Sequence, residues 1–105
     1  MANPFAGEVE VTLDGVAHVA RLTLGALAEL EATLEEPSLI ALAERFEGGR
    51  ISGRDILAVI VAGLRGGGWQ GRAEDLRCVD VAGGAAQAVR VAAELLVRAF
   101  APPGA

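Results

Sequence analysis

The sequence predicts an α+β fold, mainly α, with an N-terminal β-hairpin packed on a bundle of about five short helices. Three observations carry that expectation. Residues 7–22 alternate apolar and polar about Asp14-Gly15, a two-residue turn signal. Over residues 23–36 the period becomes helical, with Leu24, Leu27, Leu30 and Leu34 as an apolar stripe and Glu29, Glu31, Glu35 and Glu36 on the solvated side. Beyond them, further apolar stretches of helical spacing are separated by glycine pairs and a glycine triplet.

In the hairpin, a two-residue turn sets Leu13 against Val16, Val11 against His18 and Val9 against Ala20. Those six share one face, with Leu22 beyond them. The other face pairs Glu10 with Val19 and Glu8 with Arg21, the second an opposite-charge pair. A lone hairpin is marginal in water, so its apolar face must dock on the helices.

The first helix follows Thr23, whose hydroxyl can accept from an orphaned backbone N–H. A second should begin after Pro37 with Ser38 as cap, turn Leu39, Leu42, Ala43 and Phe46 inward, and stop at Gly48-Gly49. The third has the clearest start. Ser52 is its N-cap, Asp55 stands three residues on, and Ile51 and Ile56 flank the cap as a hydrophobic staple. Its body is apolar almost all round, which marks the central buried helix, and Gly66-Gly67-Gly68 ends it. A short helix is expected over residues 72–80, then a last one over 85–101 after Gly83-Gly84. In the last, Gln87, Arg90, Glu94 and Arg98 line one face, and Val89, Ala92, Leu96 and Phe100 the other.

The 105 residues form one expected domain, 1–105, with the hairpin at 7–22, the helical part at 23–101 and a short flexible tail at 102–105. Aromatic residues are only 4%, so the core must be aliphatic. No apolar run reaches the ~20 residues of a membrane span, because Arg65 and Gly66 end the longest, 56–64. No secretory signal is visible at the N-terminus. A lone cysteine, Cys78, excludes an internal disulfide and fits a reducing compartment, so a cytoplasmic location is expected.

Net charge is −5 and lopsided. Residues 1–50 hold nine acids and three arginines, residues 51–105 five acids and six arginines, hence −6 and +1. The scattered basic residues give no patch for phosphate neutralisation, so nucleic acid is not an expected partner. The opposite signs of the halves could draw copies together as a homo-oligomer, and solvated helix faces account for the charges equally well. All nine basic residues are arginine, a composition of GC-rich bacterial genomes.

No catalytic, cofactor or metal constellation is legible. His18 has no second histidine, and its predicted neighbours Val9, Val11 and Ala20 offer no acid or nucleophile, so it reads as a filler of the half-buried hairpin face. Cys78 has no adjacent His or Lys and reads as a semi-buried helix residue. The run GLRGGGWQG, residues 63–71, follows a helix and lacks lysine, whereas a phosphate loop follows a strand and ends in Gly-Lys-Ser/Thr. It reads as a flexible inter-helix loop. Within it Trp69 either folds back onto the core or serves as a partner anchor.

Leu13-Asp14-Gly15 and the stretch RLTLGALAELE, residues 21–31, resemble the gene transfer agent family of small tail-region proteins, found in phage-like particles and related prophages of alphaproteobacteria. The similarity continues through residues 39–42, Arg45-Phe46, Gly49-Arg50, residues 52–55 and GLRGGG at 63–68, covering residues 7–101. Family members often carry an aromatic near position 18, where this chain has His18, a departure that alters the hairpin packing. The resemblance implies no enzymatic activity. It implies a tail assembly chaperone that coats the helical tape-measure protein, recruits tail tube protein and then leaves. The alternative it implies is a structural tail subunit, tube or adaptor, retained in the particle. Tail tubes are generally built from rings of sheet, and two strands against five helices favour the chaperone. Contacts with tape-measure protein are expected at the glycine loop, Gly66, Gly67, Gly68 and Trp69, and at the hairpin edges by Glu8 and Glu10.

Overall fold

The computed structural model describes residues 7–33, 38–76 and 78–100. Two strands, β1 (Glu8–Leu13) and β2 (Val16–Arg21), precede α1 (Leu24–Thr33), α2 (Leu39–Glu47), α3 (Gly53–Gly66), the single turn α4 (Ala73–Leu76) and α5 (Gly84–Phe100). The fold is therefore α+β and mainly α, as the periodicities predict. Leu34, Glu35, Glu36 and Pro37, the side chain of Leu39, and the tail at 102–105 lie outside the described residues.

The hairpin has the expected register, Leu13 opposite Val16 through Glu8 opposite Arg21. Asp14 and Gly15 both take positive φ, 49° and 79°, the type I′ geometry whose twist matches the strands. Val9, Val11, Leu13, Ala20 and Leu22 are buried, and His18 is half-buried on the same face. Val16, at the turn, stays 58% exposed.

The expected caps form. Thr23 Oγ1 accepts from the Ala26 N–H at 3.1 Å, and Ser38 Oγ from that of Ala41 at 3.0 Å. Ser52 and Asp55 close a reciprocal capping box, so two orphan donors of α3 are satisfied at once. α3 is the central helix, lying against β2, α1, α4 and α5. Leu30, Leu42, Val59, Leu64, Val91, Leu95 and Leu96 are its most deeply buried partners and members, and they make one aliphatic core.

Three expectations require correction. Leu24 is 85% exposed, and Ala26 takes the core place beside Leu30. Positions two apart on a helix differ by about 200°, so a helix that buries Ala26 turns Leu24 outward with Ala28 and Glu31. The helix expected at 72–80 stops after Leu76, and Cys78 is exposed in a turn. There the backbone bonds the hairpin end instead: Val81 bridges Leu13, the Asp14 N–H donates to the Asp80 carbonyl at 2.8 Å, and the Ala82 N–H to that of Thr12 at 3.0 Å. Finally, α5 buries Val91, Ala92, Leu95 and Leu96, while Phe100 is 44% exposed. Sitting between α3 and β1, α5 presents a core face rotated from the row of Val89, Ala92, Leu96 and Phe100.

Candidate functional site

The glycine triplet is built into the fold. A Cβ on Gly66 would lie 2.0 Å from the Arg21 carbonyl oxygen, and one on Gly67 2.0 Å from that of Val19. Both glycines thus allow the end of α3 to touch the backbone of β2, an approach no side chain permits. Gly68, at φ +105°, reverses the chain. The Trp69 N–H donates to the Leu64 carbonyl at 2.9 Å and the Gly68 N–H to that of Arg65 at 3.1 Å, the paired bonds of a Schellman ending. That ending aims the residue after the left-handed glycine back at the helix, and Trp69 is half-buried against the core. Its ring covers Gly71, where a Cβ would lie 2.0 Å from Cζ2.

Around Trp69 runs an open cleft of about 580 Å³, with Thr23, Gly25 and Glu29 of the α1 side facing Arg65, Gly68 and Gln70. Arg65 Nε and Glu29 Oε1 pair across it at 3.1 Å. Both are well exposed, so the pair contributes about 0–1 kcal/mol. Of the glycine-loop residues named from the sequence, Gly66, Gly68 and the half-buried Trp69 line this cleft, whereas Gly67 packs against the Val19 backbone.

Glu8 and Glu10 lie elsewhere, on the solvent face of β1. The Glu8 carbonyl accepts from the Arg98 guanidinium, and Arg98 also pairs with Glu94 at 3.2 Å. With residues 80–82 bonded at the other end, the outer edge of β1 is engaged on both sides of Glu10. The outer edge of β2 meets Gly66 and Gly67.

A second surface lies away from the residues expected from the sequence. α2 and α5 leave a groove of about 290 Å³ between Ala43, Phe46 and Glu47 on one side and Ala93, Val97 and Phe100 on the other, floored by Leu96. Its signal is present in the sequence: Val89, Ala93, Val97 and Phe100 recur at helical spacing beside the core row, so α5 is apolar on more than one face. A third, nearly apolar pocket of about 220 Å³ opens between the hairpin end and α3, lined by Leu13, Ile56, Ile60, Leu76 and Val81. Among the described residues no three His, Cys, Asp or Glu side chains gather as a metal site, and no helix is long and apolar enough to cross a membrane.

Fold and surfaces together define a small, mainly helical α+β domain with apolar grooves between its helices. Residues 6–102 match the family described as phage tail tube protein, GTA-gp10, and the chain belongs to that family. The resemblance drawn from residues 7–101 is thereby borne out at the level of the family. Neither a curated protein nor a solved structure shows a significant match to the chain.

Proposed function

We propose that this protein is a tail assembly chaperone of a phage-like gene transfer agent, working by binding and without a catalytic step. It would hold the tape-measure protein, an elongated helical chain with exposed apolar stripes, and hand it to tail tube subunits. The observation that most supports this reading is the balance of edges and grooves. The hairpin edges are engaged within the chain by Arg98, by residues 80–82 and by Gly66-Gly67, while apolar grooves between helices stay open. Growth of a tube by sheet needs free strand edges, whereas capture of a helix needs a groove.

The second reading, a structural tail subunit retained in the particle, draws on the family's description as a tail tube protein. Quantitative mass spectrometry of purified particles beside the lysate that produced them separates the two. Abundance in lysate with absence from particles is the outcome expected of the chaperone. A fixed copy number in multiples of a tail ring overturns it in favour of the retained subunit.

A further inference from the structure

We propose that the groove between α2 and α5 is the seat of an amphipathic partner helix whose apolar stripe is flanked by arginine or lysine. This deepens the chaperone reading and rests on it for the partner being helical. Five large apolar side chains stand exposed among the described residues; Val97 at 65% and Phe100 at 44% line this groove, and Ile40 at 66% lies on the α2 helix that walls it. Ile40 precedes Ala43 by three residues and Glu47 by seven, so it continues the α2 wall of the groove by one turn. On α5 the stripe runs from Val89 to Phe100, about 17 Å at 1.5 Å per residue, the length of three turns of a partner helix. Such clustering marks a contact surface, where scattered single residues would not.

Charge selects the occupant. Glu47 lines the groove and Glu44 stands one turn before it, both exposed, so the α2 lip is acidic. The single arginine of that helix, Arg45, reaches Asp55. A helix entering the groove brings one flank against Glu44 and Glu47, and on that α2 side only a basic flank is complementary. The Trp69 cleft lacks this character: Glu29 and Arg65 already neutralise one another across it.

Two synthetic peptides of about five turns, with the same leucine stripe flanked by arginine in one and by glutamate in the other, test the seat on the full-length chain. Fluorescence anisotropy should show the arginine peptide binding about tenfold more tightly or better, and Val97→Asp abolishing about tenfold or more of that affinity. Val97 is exposed, so its variant keeps the fold, which circular dichroism verifies. Glu44→Arg with Glu47→Arg should invert the preference between the peptides, and Trp69→Phe should leave it unchanged. Equal affinity for the two peptides, or indifference to Val97→Asp, overturns the proposal. A dimer in sedimentation that Val97→Asp dissociates also overturns it, since a second copy then covers the groove. Failure of the chaperone reading looks different: ring-stoichiometric presence in particles removes that reading while peptide binding stands. Normal tail assembly with Val97→Asp in a chain absent from particles removes the groove alone.

Discussion

Arg45 Nη2 lies 2.6 Å from Asp55 Oδ2, joining the last turn of α2 to the first turn of α3. The same carboxylate oxygen accepts the Ser52 N–H at 3.4 Å, so Asp55 both caps α3 and anchors α2. Asp55 is the most deeply buried charged residue among the described residues, its side chain 8% exposed. The Arg45 side chain keeps 32% of its surface in water. Loss of the carboxylate therefore costs less than breaking a fully buried pair, which is about 3–5 kcal/mol, but more than a cap alone. Asp55→Ala should destabilise by about 2–3 kcal/mol in urea unfolding. Asp55→Asn, which keeps the cap acceptor, should cost clearly less.

Gly66→Ala places a methyl group 2.0 Å from the Arg21 carbonyl, and backbone cannot rotate away as a side chain can. The end of α3 must lift from β2. A loss of about 2–3 kcal/mol is expected, read as a lowered thermal midpoint. If the triplet were a plain loop, Gly66→Ala would leave the midpoint unmoved.

Leu24 and Leu30 look equivalent in the sequence and are opposites in the fold, 85% and 1% exposed. Leu30→Ala should cost about 2–5 kcal/mol by cavity formation. Leu24→Ala should change stability by less than about 0.5 kcal/mol. A pair of denaturant titrations measures this contrast between the two leucines.

Asp14 locks the hairpin tip onto the chain between α4 and α5. Its carboxylate Oδ1 accepts from the Asp80 N–H at 3.0 Å, and its own N–H donates to the Asp80 carbonyl. Asp14→Ala loses that acceptor and puts alanine at φ 49°, so about 1–2 kcal/mol is expected. Asp14→Asn should be near neutral, because asparagine keeps an acceptor and tolerates the left-handed region. Hydrogen exchange at the Asp80 amide should quicken in the alanine variant and not in the asparagine one.

Trp69 is the chain's single tryptophan, so its fluorescence reports on one site. Half-burial over Gly71 predicts emission between that of a core and a free indole, partly protected from acrylamide. Full quenching would mean that the ring has left the core.

The sequence alone determined what depends on nearest neighbours. The hairpin register follows from a two-residue turn and period-two alternation. Thr23, Ser38 and Ser52 cap because a hydroxyl there meets an N–H three residues on. Glycines end α2 and α3 because those turns need positive φ, at Gly49 and Gly68.

Only the tertiary structure decided what depends on residues far apart in the chain. Which side of α1 is buried was set by α3, and alanine at 26 displaced leucine at 24. The helix expected at 72–80 was cut short because residues 80–82 found backbone partners on β1, and propensity does not register a partner about 70 residues away. The glycine triplet reads as a loop until the carbonyls of Val19 and Arg21 are seen against it. The α2–α5 groove exists only once two separate helices lie side by side. Short-range sterics and hydrogen bonding are written locally, whereas burial is a property of the whole packed chain.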